Sequence, residues 1–324
     1  MIASGAKPDF ELARRLNWLL TRTCLLLLVA RSGVLQAAPV SVPNASFESP
    51  AIFFSVSTVF DSWQRTPEPV WWDENASGPW TNLTGIFKNP APANSDHIDN
   101  CDGNQAAWLF ANPGVGLFQD YDSMDWNDPV PTHAFDVKFE AGKSYRLLVG
   151  LIVGTGAGLP MQEGVTVDLS LYYRDAQSNR IPVATTVVAN SSSVFSNGNH
   201  FLDFEVNVPT VTGDDDWAGK NIGIQLLSTV HPDMAGGYWD VDNVRLYSIR
   251  APTLSGSVYT NGQFRFVLEG EPGYACEILA STNVTLPPSN WTSLGVLTNV
   301  SGTVPFVDTN ANFDQRFYRA RQLP

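Results

Sequence analysis

Two carboxylates at opposite ends of one stretch of chain stand out as groups able to do chemistry. "VPNASFESP" (42–50) carries Glu48, and "GGYWDVDNVRLYSI" (236–249) carries Asp242. The second stretch reads as a strand, whose side chains alternate across the sheet with period two. Asp240, Asp242, Val244 and Leu246 then share one face, and Trp239, Val241, Asn243, Arg245 and Tyr247 the other. If Val244 and Leu246 face a core, Asp242 is directed toward it as well, where an unpaired carboxylate is costly. The first and last strands of a β-sandwich often lie side by side, which would bring Glu48 close to Asp242. Two neighbouring carboxylates repel unless one is protonated or a cation sits between them. In a secreted protein the fitting cation is Ca²⁺, which takes about six to eight oxygens in loose geometry. Asn44 and Ser46 offer further carbonyl or side-chain oxygens. The alternative is that Asp242 caps backbone N–H groups at a strand end or pairs with an arginine.

A second group of residues is suited to binding rather than to a metal. "EPVWWDENASGPW" (68–80) holds Trp71, Trp72 and Trp80 beside Asp73, Glu74 and Asn75. Flat aromatic faces suit the C–H-rich faces of pyranose rings, and amides and carboxylates suit their hydroxyls. Trp126, in "DYDSMDWND", is a further aromatic in a polar setting. Gln105 is placed to project from a strand into a concave face. The competing reading packs these tryptophans as a small core under a long loop and makes Gln105 a plain strand amide. Trp63, Trp108 and Trp239 read as core or sheet residues.

Signals for a chemical step are thin. His97, His133, His200 and His231 are scattered, and neither HExxH nor GxSxG occurs. "DHIDNCDGN" (96–104) fails as an EF-hand loop: with Gly103 at the turn position, Ile98 and Leu109 fall on the first and last ligand positions. Glycosidases need two carboxylates about 5 to 10 Å apart, and no pair is marked out for that task.

These residues must be positioned by strands. Runs rich in Val, Leu, Tyr, Phe and Thr recur between Gly, Pro, Asn and Asp clusters: 105–110, 115–119, 133–139, 144–153, 165–173, 182–189, 201–208, 221–228 and 238–247. Val165, Val167, Leu169 and Leu171 alternate with Thr166, Asp168 and Ser170. Many strands at near-regular spacing predict an all-β jelly-roll β-sandwich. Residues 49–104 read instead as a long loop, structured by its tryptophans. "IRAPTL" (249–254) reads as a linker, after which 263–268, 273–280, 290–297, 302–307 and 315–320 predict a second, smaller β-sandwich. Trp291, Phe306, Phe317 and Tyr318 are its candidate core.

The first 37 residues combine Arg14, Arg15 and Arg22, the run "CLLLLVA" and the small residues of "LQAAPV". That pattern predicts a secretory signal peptide over 1–37, leaving domains at 38–250 and 251–324. Without it the chain keeps 14 basic and 30 acidic residues, a net charge of −16. Such a surface repels nucleic acid and anionic membranes, and neither is an expected partner of the secreted, extracellular or periplasmic protein. Cys101 and Cys276 fall in separate domains, so no disulfide joins them in this reading, and Cys276 reads as a small core residue.

Several motifs stand in an order that resembles secreted carbohydrate-binding modules of the galactose-binding jelly-roll type, the family 4, 9 and 22 group. They are "NASFE" near the mature N-terminus, "SWQ" (62–64), "GNQAAWL" (103–109), "FEAGKSYRLLVGL" (139–151) and "YWDVDNVRL" (238–246). The resemblance covers residues 40–250 and implies a structural Ca²⁺ held by Glu48 and Asp242. It implies a non-catalytic glycan-binding protein with a neutral polysaccharide or oligosaccharide as partner. An extracellular structural or adhesion protein without a glycan ligand is the second reading. A β-sandwich glycoside hydrolase or polysaccharide lyase is the third.

Overall fold

The computed structural model describes residues 38–154, 159–196 and 199–323. The segment expected to be the signal peptide lies outside the described residues. The chain divides into two compact units, one spanning Ala37–Ala251 and one containing Pro252–Pro324. Both are built from antiparallel sheets, and the protein is all-β.

The larger unit contains twelve strands among its described residues. In chain order they are β1 (Ala38–Val40), β2 (Val56–Ser57), β3 (Gln64–Arg65), β4 (Thr84–Lys88), β5 (Gln105–Phe110) and β6 (Gly116–Gln119), then β7 (Lys143–Val153), β8 (Thr166–Arg174), β9 (Arg180–Ala189), β10 (Leu202–Val208), β11 (Gly223–Ser228) and β12 (Tyr238–Arg250). One sheet runs β10-β7-β12-β5-β4-β2 with β1 also paired to β12, and the other runs β3-β6-β11-β8-β9. The first strand therefore lies along the last, with Ala38 opposite Ser248 and Val40 opposite Leu246.

Alternation explains the core between the sheets. Val167, Leu169 and Leu171 of β8 are fully buried, as are Leu147, Val149 and Leu151 of β7 and Leu117, Ile224 and Leu226 from β6 and β11. All join one apolar cluster with Trp63 and Trp239. Each such side chain removed from water contributes about 1.5–3 kcal/mol.

Three expectations are corrected. β12 does not keep one phase: its register against β7 shifts between Asp242 and Arg245, where Asn243 has φ +56°. This bulge places Trp239 and Val241 on the same core side as Val244 and Leu246, so Asp240 and Asp242 point to the outer face of the sheet. Residues 133–139 form no strand. Phe135 and Phe139 are buried, and the segment pairs only through an isolated bridge between Lys138 and Asn221. The stretch 49–104 is not all loop, because β4 within it pairs with both β5 and β2.

The smaller unit has β13 (Thr253–Thr260), β14 (Gln263–Glu269), β15 (Ala275–Ser281), β16 (Thr292–Thr298), β17 (Thr303–Asp308) and β18 (Phe317–Gln322). They form two three-stranded sheets, β13-β14-β17 and β16-β15-β18. β13 begins inside the stretch that reads as a linker. Phe266, Leu268, Cys276 and Ile278 make the core, with Phe306 and Tyr318 packed on it. Trp291 is only half-buried and donates its indole N–H to the Leu286 carbonyl at 2.9 Å. Cys101 and Cys276 are both free thiols.

Candidate functional site: a carboxylate-held loop and a tryptophan groove

The two carboxylates read from the sequence converge on one loop, Cys101–Gln105. Oε1 of Glu48 accepts the backbone N–H groups of Asn104 at 2.7 Å and Gln105 at 2.6 Å. Oδ2 of Asp242 accepts the N–H of Asp102 at 2.7 Å. Gly103 turns the loop with φ +100°, and a Cβ there would stand 2.5 Å from Oε1 of Glu48. Only glycine combines that dihedral with so close an approach.

Asp242 is wholly buried, and its Oδ1 meets no hydrogen-bond partner. Burial pushes its carboxyl up to about 7, against the pull of the Asp102 N–H that Oδ2 accepts. The Cys101 thiol is itself pushed far upward, first by burial and then by the nearby Asp242 carboxylate. The capping role left open in the sequence is thus real for Oδ2, while Oδ1 is an acceptor without a donor. A cation beside Glu48 and Asp242 would answer that want. No group of three or more His, Cys, Asp or Glu suited to a metal occurs among the described residues. Its remaining oxygens would have to come from backbone carbonyls, side-chain amides or water.

The other sequence candidates are distributed differently. The Asn44 amide donates to the carbonyls of Ser49 and Asp61 and accepts the Ser49 N–H. It pins the turn in which Ser46 sits, and its side chain is withdrawn from the ligand set. Gln105 is corrected from ligand contact to clamp. Its buried amide accepts the Ile52 N–H at 2.7 Å and donates to the carbonyls of Phe47 at 2.8 Å and Pro50 at 3.2 Å. No free polar end is left for a sugar.

Trp71, Trp72 and Trp80 do cluster, edge to face, with ring centroids 5.2–6.4 Å apart. Trp80 is 5% exposed and donates to the Thr66 carbonyl at 2.8 Å, so it is a packed support rather than a contact surface. Trp72 is half-buried, with its indole N–H on the Gly78 carbonyl at 3.0 Å. Trp71 is 58% exposed. Trp71 and Trp72 line a groove of about 730 Å³ with Phe110, Ser77, Asn112 and the Gly236–Gly237 backbone. Trp126 is 56% exposed but lies apart from this groove, its backbone N–H on the Asp61 carboxylate at 3.2 Å.

Two features are not visible in the sequence pattern. Phe110 and Asn112 lie where β5 ends, and only the pairing of β4 with β5 brings that end beside the tryptophans. Unbroken alternation puts Asp240 on the core side; it instead sits on the outer face, and burial drives its carboxyl well above the ordinary range. The signal for its true position is Asn243, a residue that tolerates positive φ and marks the bulge.

No protein-family model matches the chain, and no curated protein matches it. Among solved structures, a cyclase from Fischerella sp. TAU is similar over 67% of this chain and 100% of its own, at 19% identity and a TM-score of 0.47. The CBM22-1 xylan-binding domain of Paenibacillus barcinonensis Xyn10C is similar over 52% of this chain and 81% of its own, at 11% identity and a TM-score of 0.30. A CBM4 structure is similar over 64% of this chain and 99% of its own, at 13% identity and a TM-score of 0.32. The last two are of the carbohydrate-binding group that the sequence motifs resemble. All three are likenesses of fold.

Proposed function

We propose that the protein is secreted and that its larger unit is a non-catalytic module binding a neutral polysaccharide or oligosaccharide. The observation that carries this reading is the groove of about 730 Å³, with the exposed Trp71 and half-buried Trp72 on one side and Ser77 and Asn112 among its polar groups. An aromatic platform with a few polar groups around it is the chemistry a pyranose ring needs. The net charge of −16 expected after signal removal disfavours polyanionic glycans and leaves neutral ones.

A structural Ca²⁺ belongs to the same proposal. Glu48 and Asp242 would hold it, and it would supply the positive charge that the buried Asp242 carboxyl lacks. Glu48 comes from the turn after β1, and Asp242 from the last strand of the unit. Fixing them would fasten the start of the unit to its end without taking part in any chemical step.

The test is retention of the full chain on a panel of immobilised neutral polysaccharides. Retention on one class that is lost on Trp71→Ala, with the far-ultraviolet spectrum unchanged, is the expected result. Retention on none by a folded protein would move the reading to a structural or adhesion protein. Equal retention by the variant would remove the groove from the account.

A further inference from the structure

The outer face of the first sheet carries a cleft that neither the groove nor the carboxylate pair uses. It is a consequence of the bulge in β12, which turns Tyr238 and Asp240 outward while Trp239 and Val241 enter the core. Trp108 of β5 lies opposite Asp240, and Phe110 opposite Tyr238. Further along, Gly85 of β4 lies opposite Trp108, and Phe87 opposite Val56 of the edge strand β2. A Cβ at Gly85 would fall 2.3 Å from the Trp108 ring, so the glycine makes the room in which the indole lies. At the other end of this face, Ile98, Ala106, Ile152 and Phe201 close over one another as a small apolar cluster. The end near β2 stays open as a cleft of about 310 Å³, lined by Val56, Phe87, Trp108, Phe110, Tyr238 and Asp240.

Its one carboxyl is the informative feature. Asp240 is only 9% exposed, and its Oδ1 has no hydrogen-bond partner. A buried oxygen left unpaired costs about 1–3 kcal/mol, and native proteins leave few of them. A valine at this strand position would fill the same pleat without that cost.

We propose that this cleft is a second binding site, for a flat, largely apolar small molecule of two or three rings that presents one N–H or O–H donor to the Asp240 carboxyl. Aromatic walls supply the affinity, and the single carboxyl fixes orientation, as in small-ligand sites generally. A carboxyl keeps an acceptor oxygen whether or not it carries a proton, so the recognition is independent of its titration. The volume lies at the small end of the range for ligand sites. A sugar is a poor occupant, because most of its hydroxyls would be buried against hydrocarbon without partners. The site is separate from the glycan groove, with which it shares only Phe110 among the lining residues.

The experiment titrates the full chain with carbazole, a flat fluorescent probe of three fused rings with a single N–H. Its N-methyl analogue, which has no donor, is run beside it. Saturable one-to-one binding, weakened roughly tenfold for the N-methyl analogue, is the expected result, as one lost hydrogen bond requires. Asp240→Leu should weaken the parent probe by a similar factor and abolish the preference between the two probes. Asp240→Asn keeps an acceptor oxygen and should retain binding. Val56 is 59% exposed at the rim, so Val56→Trp plugs the cleft without touching the core and should abolish binding even if the Asp240 variants fold poorly. Trp71→Ala should leave probe binding unchanged while glycan retention is lost, which keeps this proposal distinguishable from the previous one. No saturable binding, equal binding of the two probes, or binding that survives Val56→Trp would overturn it.

Discussion

Substituting Asp242 by asparagine, with calcium chelated, should stabilise the protein at alkaline pH and leave it little changed near pH 4. The reasoning starts from a carboxyl held at about 7 in the folded chain against an ordinary value of 3.8. Its cause is burial, and Oδ1 has no donor to offset it. The folded state therefore binds this proton more tightly than the unfolded state does. The contribution is fully present below about pH 4, declines as pH rises through about 7, and is gone above that. Between those limits the loss is roughly 4 kcal/mol, at about 1.4 kcal/mol for each pH unit. For a unit of this size that corresponds to roughly 10 °C in Tm. The asparagine cannot ionise, and its carbonyl oxygen can still accept the Asp102 N–H, so its profile should lack this decline. The assay is thermal unfolding of both proteins from pH 4 to pH 9 in chelator, read as the difference between them, since other carboxyls cancel. Calcium should then raise the Tm of the wild type most at high pH and leave Asp242→Asn unmoved. Parallel profiles for the two proteins in chelator would refute the argument.

Other perturbations follow from the same structure. Asp120 is buried and accepts from the Tyr172 hydroxyl at 2.5 Å and from Arg174 at 2.7 and 2.8 Å. Asp120→Ala should cost about 3 kcal/mol in urea unfolding, because a buried phenol and a partly buried guanidinium lose their common partner. Gln105→Ala strands the Ile52 N–H and the Phe47 carbonyl; a loss of about 2–3 kcal/mol is expected, with faster proteolysis within 47–60 as the local readout. Gly103→Ala, at φ +100° and 2.5 Å from Glu48, should cost about 1–3 kcal/mol and diminish any calcium-dependent gain in Tm.

Periodicity makes much of this fold legible in the chain itself. Val165 to Leu171 alternate without a break, and β8 buries the residues that pattern assigns inward. That Glu48 and Asp242 reach the same 102–105 loop has a topological reason, since β1 lies along β12 and the unit begins and ends beside itself. The faces of β12 are not legible, because one extra residue at a bulge reverses the phase of everything before it. Asn243 is the only local mark of that reversal. β4 is hidden for a different reason: five residues, "TGIFK", flanked by Asn, Pro and Trp, carry too little alternation to be separated from loop. Gln105 shows the limit for site residues. A strand amide facing a ligand and one clamping a neighbouring segment have the same sequence pattern, and only the position of the 47–52 chain decides between them.

The central claim is that the Trp71 and Trp72 groove holds a neutral glycan. Its most direct measurement is affinity electrophoresis through gels containing neutral polysaccharides, with the wild type beside Trp71→Ala. The account predicts that one polysaccharide class retards the wild type and that the exposed tryptophan's removal restores free mobility. Free mobility of the wild type in every gel, or equal retardation of both proteins, would contradict it.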